Sequence, residues 1–145
     1  MTGVLEIEEV VEAARALLAA DSTLAVAPLS GRIYHDLAPS NAVYPLVILT
    51  GVFQTDVLTG NGDHESADVL FQVTVRDRGG TSKAVIKPIA QTVYACLQGQ
   101  GIANSGGVYA AKIRRLRVIP RGPDVEDGLV YPQIVQEFFT EAEPA

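Results

Sequence analysis

Apolar residues recur with a helical period between residues 4 and 19, and most of the intervening positions are acidic or small. This spacing predicts an amphipathic helix, and its acidic first turns suit the positive end of the helix dipole. The predicted buried face consists of Ile7, Val10, Val11, Ala14, Leu17 and Leu18. Prolines and Gly31 then predict a loop from Leu24 to Ser40, with one short extended piece at Arg32–His35.

Two strand patterns follow, and they differ from each other. Residues 45–54 are apolar at both odd and even positions, which predicts a strand covered on both faces. Residues 65–77 alternate instead, which predicts that Val69, Phe71, Val73 and Val75 point toward the core. The connecting arm, Thr55–His64, has glycines at its tip, so the whole segment predicts a long β-hairpin with a mobile end.

A second helix is predicted after Gly79-Gly80, where Thr81 or Ser82 could act as its N-cap. Its apolar stripe consists of Ile86, Ile89, Ala90, Val93 and Leu97. Pro88 leaves two alternatives: either the helix kinks there, or its regular part starts near Lys87, where a proline is tolerated.

Two more strands are predicted, at residues 108–119 and 129–139. In the first, the apolar parity changes before Leu116 and Val118, which predicts a β-bulge at Arg114-Arg115 that keeps both apolar residues inward. The bulge would point four basic residues outward together: Lys112, Arg114, Arg115 and Arg117. Pro132 marks a bulge or an edge position, and residues 141–145 are expected to form a flexible tail.

This order of elements predicts an α+β fold, with a mainly antiparallel sheet of about four to five strands and two helices packed on one face. A length of 145 residues fits a single domain spanning 1–145. Apolar residues make up 48% of the chain, charged residues only 19%, and the mean hydropathy is +0.20. The chain therefore has more apolar surface than one small core needs, and self-association is the simplest explanation.

Charge and cysteine content exclude several classes of protein. A net charge of −6 disfavours nucleic-acid binding by the whole surface, and no apolar run approaches the length of a bilayer span. The N-terminal region is acidic rather than basic and then apolar, so no signal peptide is predicted. Because the single Cys96 cannot form an internal disulfide, the protein is expected to reside in a reducing cytoplasm.

No catalytic, cofactor-binding or metal site is expected. Asp63-His64-Glu65 lies near the hairpin tip and lacks a second histidine at ligand spacing. His35-Asp36 could orient an imidazole, but no nucleophile stands in a recognisable setting, and Cys96 is expected to be a small buried thiol. The glycines between residues 99 and 107 lack the spacing of a phosphate-binding loop.

The basic residues of the 108–119 strand, continued by Arg121, have two interpretations. They either form a solvated strand face or meet acidic residues of a neighbouring subunit. Acids available for such a contact are Glu8 and Glu12 of the first helix, with Glu6 and Glu9, and Glu137, Glu141 and Glu143 near the C-terminus. On the second interpretation, charge reversal at Arg115 and Arg117 shifts the sedimentation profile toward monomer.

Short motifs spread along nearly the whole chain carry a family resemblance. They are the run Ala16–Leu24, Gly31-Arg32-Ile33-Tyr34, Ala38-Pro39, Tyr44-Pro45-Leu46-Val47 and Phe71-Gln72-Val73-Thr74-Val75. With these motifs the chain resembles the tail completion, or tail terminator, proteins of long-tailed, siphovirus-like bacteriophages. The resemblance implies a structural role for the motif residues Arg32, Ile33, Tyr34, Pro39 and Pro45.

The resemblance also implies a structural virion protein at the head–tail junction, assembled in the bacterial host cytoplasm. Its copies would form a ring, typically a hexamer, that caps the tube of the major tail protein and meets the head–tail connector or stopper protein. DNA would pass through the lumen only as cargo, and no membrane partner is implied. The hairpin arm would contact a neighbouring subunit or the tube through Asp56, Leu58, Asn61 and Asp63.

Two alternatives stay open. A neck or head-closure connector protein would also be a small ring subunit, but it would dock on the portal side. A small α+β enzyme or ligand-binding domain would need convergent ionisable residues on rigid elements, and the sequence shows none.

Overall fold

The structure, a computed structural model, describes residues 6–58, 64–103, 108–110 and 112–144. This part of the chain contains two helices, α1 (Glu6–Ala19) and α2 (Ile86–Leu97). Its strands, in chain order, are β1 (Ile33–His35), β2 (Leu46–Leu58), β3 (His64–Arg76), β4 (Ile102–Ala103), β5 (Val108–Ala110), β6 (Arg114–Ile119), β7 (Asp124–Glu126), β8 (Leu129–Tyr131) and β9 (Gln133–Pro144).

Seven of the described strands form one sheet, in the order β1-β2-β3-β9. Beyond β9, the far edge is shared by β6 and by the short pair β5-β4. β1 runs parallel to β2, and the other pairings are antiparallel, which confirms the predicted α+β class and mainly antiparallel sheet. β7 and β8 form a separate two-stranded ribbon.

Both helices contribute to the core on one face of the sheet. The predicted inward residues of β3 are all buried, and the rings of Phe71 and Phe138 stack with centroids 5.6 Å apart. On α1, Ile7 and Leu17 are only partly buried, whereas the other four predicted core residues are fully buried. The predicted stripe of α2 is buried at all five positions. Helical periodicity therefore identified the core faces of both helices.

β2 is covered on both faces only at its beginning. Leu46, Val47 and Leu49 are buried, but Val52 and Phe53 remain 45% and 49% exposed. The prediction of a strand covered through residue 54 is therefore wrong for its outer part. The described part of α1 reaches as far as Gly51, where the Ile7 side chain occupies the space that a Cβ would take. Beyond Gly51, α1 still contacts the strand at Gln54, whose Oε1 accepts a hydrogen bond from the Ile7 N–H at 2.9 Å, but it does not cover Val52 or Phe53.

The start of α2 resolves the two alternatives for Pro88. The helix begins at Ile86, so Pro88 is its third residue and lies in the first turn, where proline causes no kink. The predicted N-cap is wrong, because Val85 occupies that position without a side-chain hydrogen bond. The Ser82 hydroxyl instead accepts a hydrogen bond from the Ala84 N–H at 3.2 Å, in a turn that precedes the helix.

The C-terminal strands depart from prediction in two places. The bulge in β6 falls between Arg115 and Arg117, one residue later than expected, and Leu116 and Val118 are 49% and 45% exposed instead of buried. β6 lies at the sheet edge, and no further described strand pairs with it. The expected flexible tail is also wrong through Pro144, because β9 continues there and pairs with β3 and β5.

Candidate assembly surfaces

The arginines of β6 do not point outward together, which corrects the predicted basic ribbon. Arg115 lies over the Tyr94 ring at 4.0 Å and donates a hydrogen bond to Gln136 Oε1 at 3.0 Å. Arg114 lies over the Phe139 ring, and Arg117 pairs with Glu137. The bulge between Arg115 and Arg117 leaves Arg115 on the α2 face of the sheet and places Arg117 on the opposite face, together with Arg114.

Glu137 is paired within its own chain. Its carboxylate is buried and accepts hydrogen bonds from Arg117 Nε at 2.9 Å and Gln72 Nε2 at 3.2 Å. The expectation that Glu137 meets a neighbouring subunit is therefore contradicted. Charge reversal at Arg117 would place like charges together and leave a buried carboxylate unpaired. Such a variant is expected to destabilise the fold, so a loss of assembly would not by itself identify an interface. Lys112, by contrast, is exposed.

An open groove of about 370 Å³ runs between α2 and β6. Lys83, Lys87 and Arg115 line it with positive charge, while Val118 and Ile134 provide apolar contact surface. Local sequence patterns did not predict this groove, because its two walls are about 30 residues apart in the chain and meet only through the sheet. The sequence feature that could have indicated the groove is the pair of lysines, Lys83 and Lys87, at the start of the predicted helix and outside its apolar stripe.

The outer part of the hairpin presents apolar residues without cover from the described chain. Val57 and Leu58 are 41% and 57% exposed, in addition to Val52 and Phe53. Asp56 lies next to them and accepts a hydrogen bond from Gln54 Nε2 at 2.7 Å. Asn61 and Asp63, also predicted to make contacts at the arm, lie outside the described residues.

The family-motif residue Arg32 joins two loops beside β1. Its Nε donates to the Pro45 carbonyl at 3.0 Å and its Nη2 to the Pro28 carbonyl at 2.8 Å. The adjacent Ile33 is buried and pairs with Val47 of β2, and Tyr34 pairs with Ile48. The Pro39 carbonyl accepts a hydrogen bond from Ala42 in the intervening turn. These contacts support a structural role for the motif.

Glu8 and Glu12 surround His35 of their own chain. His35 Nε2 lies 3.2 Å from Glu8 Oε2 and 3.6 Å from Asp36 Oδ2, and Nδ1 lies 3.5 Å from Glu12 Oε2. A hydrogen bond from Arg15 lowers the pKa of Glu12 and keeps this carboxylate charged. Glu8, His35 and Asp36 have the donor types that bind divalent cations. Exposed carboxylates often gather near a histidine without an ion, and we assign none.

Cys96 lies half-buried late in α2, and its thiol contacts the Leu17 carbonyl at 3.5 Å. Burial, together with the charge of Asp21, raises the pKa of this thiol. Cys96 is therefore protonated at neutral pH and is a poor nucleophile. Within the described residues, no helix is both long and apolar enough to cross a bilayer.

Two groups of exposed apolar residues of this α+β chain lie on opposite sides of one sheet, on the outer part of β2 and on β6, as in a structural subunit that assembles with other copies or proteins. Its fold is similar to that of a chain in a solved structure described as "Virion of native gene transfer agent (GTA) particle". The two chains have a TM-score of 0.71 and 22% sequence identity over 97% of this chain and 98% of that chain.

The family model described as "Tail completion protein gp17" matches residues 7–123, and the chain belongs to this family. The resemblance found in the sequence is thereby confirmed, and the role is structural: this is a virion protein that takes part in completing a phage tail. No curated protein matches the chain.

Proposed function

We propose that this protein is a tail terminator whose copies form a closed ring, a hexamer, on the end of the tail tube. The chain acts as one domain spanning 1–145. One observation carries the proposal: exposed apolar side chains occur at opposite sheet edges, Val52, Phe53 and Leu58 on β2 and Leu116 and Val118 on β6. Large apolar side chains left exposed in a group mark a protein–protein contact.

The position of these two surfaces favours a ring over a two-fold dimer. A two-fold dimer uses the same surface on both copies, whereas two different surfaces join head to tail and produce either a ring or an open filament. β6 and the outer part of β2 are separated by β3 and β9, so a contact between them must involve two copies. A closed ring would end tube growth, because it leaves no unpaired edge.

The proposed partners are other copies of this chain, the major tail tube protein below the ring and the head–tail connector or stopper protein above it. The virion described for the structural neighbour supports a place in a similar particle. DNA would pass through the lumen as cargo, and a net charge of −6 would limit its adhesion to the ring. Assembly would take place in the bacterial host cytoplasm, before the tail joins the head.

The test combines purified protein with tubes polymerised from the major tail protein. Mass photometry of the protein alone, and negative-stain images of the tubes with and without it, should show ring-sized particles and rings on tube ends. Addition during polymerisation should also shorten the tubes. Tubes of unchanged length without end-bound rings would contradict the proposal.

The same preparation separates the tail terminator from a neck protein. Rings that bind purified portal–connector complexes but leave tube ends bare would assign the protein to head closure instead. A matched variant, Phe53→Ser with Leu58→Ser, removes exposed apolar surface without entering the core. It should keep the thermal stability of the wild type and lose ring formation.

A further inference from the structure

Charged residues are segregated along this chain. Residues 33–75, which include β1, β2 and β3 almost completely, contain five acidic residues and no lysine or arginine. Residues 83–121, which include α2 and β6, contain seven lysines and arginines and no acidic residue. β1 and β2 of the first segment lie at one side of the sheet and β6 of the second at the other, with β3 and β9 between them. Each molecule therefore has an acidic edge and a basic edge.

Each edge also has apolar residues beside its charged residues, so the two edges could form a contact that is both apolar and charge-complementary. On the basic edge, the groove between α2 and β6 has Lys83, from the turn before α2, and Lys87 of α2 on one wall, and Val118 and Ile134 among its apolar residues. On the acidic edge, Val57 and Leu58 extend from the hairpin beside Asp56. An acidic arm with two exposed apolar side chains complements a basic groove with an apolar lining.

The arm cannot reach the groove of its own molecule. Three strand spacings separate β2 from β6, which is about 14 Å of sheet, and β3 and β9 fill that distance. The occupant of the groove must therefore come from another molecule. The outer part of the hairpin combines exposed apolar residues, Val57 and Leu58, with a segment whose charged residues are all acidic.

We propose that the groove between α2 and β6 binds the β2–β3 hairpin arm of a second copy of this chain. Leu58 and Val57 enter the apolar part of the groove, and Lys83 and Lys87 face Asp56. The contact joins unlike surfaces, so each copy offers one arm and one groove to its two neighbours. This inference rests on the proposed ring and specifies which surfaces form it.

The basic wall can be reversed at little cost to the fold, because the side-chain contact of Lys83 is a long, exposed hydrogen bond of 3.5 Å to the Arg121 carbonyl. Lys87 is in the first turn of α2, which contains no acidic residue, so glutamate there suits the positive end of the helix dipole. The groove variant K83E/K87E should therefore fold normally, as thermal denaturation can verify. The control is Arg78→Glu, which makes the charge reversal of one groove lysine at an exposed residue outside the groove.

The experiment measures the protein concentration needed for half-maximal ring formation, by sedimentation of the full chain with and without tubes of the major tail protein. We expect K83E/K87E and Asp56→Lys each to raise this concentration about tenfold or more, and Arg78→Glu to leave it unchanged. The combined variant K83E/K87E/D56K restores opposite charges across the contact and should recover most of the loss. Leu58→Ser should impair ring formation without any change of charge.

The outcomes separate this inference from the proposed function. Rings that form normally in K83E/K87E, or single losses that the combined variant does not recover, would overturn the arm-in-groove contact and leave the ring intact. A wild-type protein that forms no ring at any concentration, with or without tubes, would overturn both.

Discussion

The inner and outer parts of the β2–β3 hairpin have similarly apolar sequences and very different surroundings. At the inner end, Leu46, Val47 and Leu49 are buried beneath α1 and the adjoining loops, and Phe71 of β3 stacks on Phe138. At the outer end, Phe53 and Leu58 are 49% and 57% exposed. The comparison teaches that apolar character selects residues for burial, but the extent of the covering elements decides which are buried within one chain.

The largest effect should separate two phenylalanines of the hairpin. Phe71→Ala removes a fully buried ring and should lower the free energy of unfolding by about 3–5 kcal/mol. Phe53→Ala removes a half-exposed ring and should cost less than about 1 kcal/mol. Urea denaturation of the dilute protein measures the unfolding free energy of both variants. Equal losses for the two variants would remove the distinction between an inner and an outer hairpin.

Gly51 lies at the boundary between the two parts. An added Cβ would lie 2.7 Å from Ile7 Cδ1, so Gly51→Val should displace the Ile7 side chain from its place against β2 and cost about 1–3 kcal/mol in unfolding free energy. The double variant G51V/I7A creates room and should recover part of this loss, whereas Ile7→Ala alone should not be stabilising. Urea denaturation again gives the values, and identical stability of wild type and Gly51→Val would show that α1 does not fix the boundary.

A smaller effect is expected at the polar face of the sheet. Arg117→Ala removes the cationic donor to the buried Glu137 carboxylate and leaves the Gln72 amide hydrogen bond in place, so it should cost about 1–2 kcal/mol, reduced because Arg117 itself is largely exposed. Lys112→Ala, at an exposed residue just before β6, is the control and should change stability by less than about 0.5 kcal/mol. A loss at Lys112 as large as at Arg117 would contradict an intramolecular role for Arg117.

The smallest effect concerns thiol reactivity rather than stability. Burial raises the pKa of Cys96, so its thiolate fraction is low at neutral pH and grows only as the pH rises above the ordinary thiol range. A thiol reagent should therefore modify Cys96 slowly at pH 7.5. The comparison variant, Phe53→Cys in a Cys96→Ala background, places a thiol on the exposed outer hairpin and should react at least about tenfold faster. Comparable rates of thiol modification in the two proteins would contradict the difference in exposure between α2 and the outer hairpin.

Local patterns predicted most of the elements. Periodicity alone identified the buried faces of α1 and α2, because a helix repeats every 3.6 residues whatever it packs against. The alternation of β3 and the first-turn position of Pro88 were equally local properties. The family resemblance likewise depended on short motifs, among them Arg32 and Pro45, whose side chain and carbonyl meet in the structure.

Predictions failed where the answer depended on a distant neighbour. Leu116 and Val118 looked like core residues, but β6 became an edge strand that no described strand covers. The C-terminal residues looked like a free tail, but β9 lies between β3 and β5 and pairs with β3 as far as Ala142 and with β5 as far as Pro144. Glu137 looked available to another subunit, yet Arg117 and Gln72 surround it.

The sequence by itself therefore determined the elements, their apolar faces, the excess of apolar surface and the family. The tertiary structure decided which apolar residues stay exposed, which charges are already paired and that an acidic and a basic edge lie on opposite sides of one sheet. The physical reason is range: periodicity and turn preference act over a few residues, whereas burial and ion pairing depend on strands that the chain brings together from far apart.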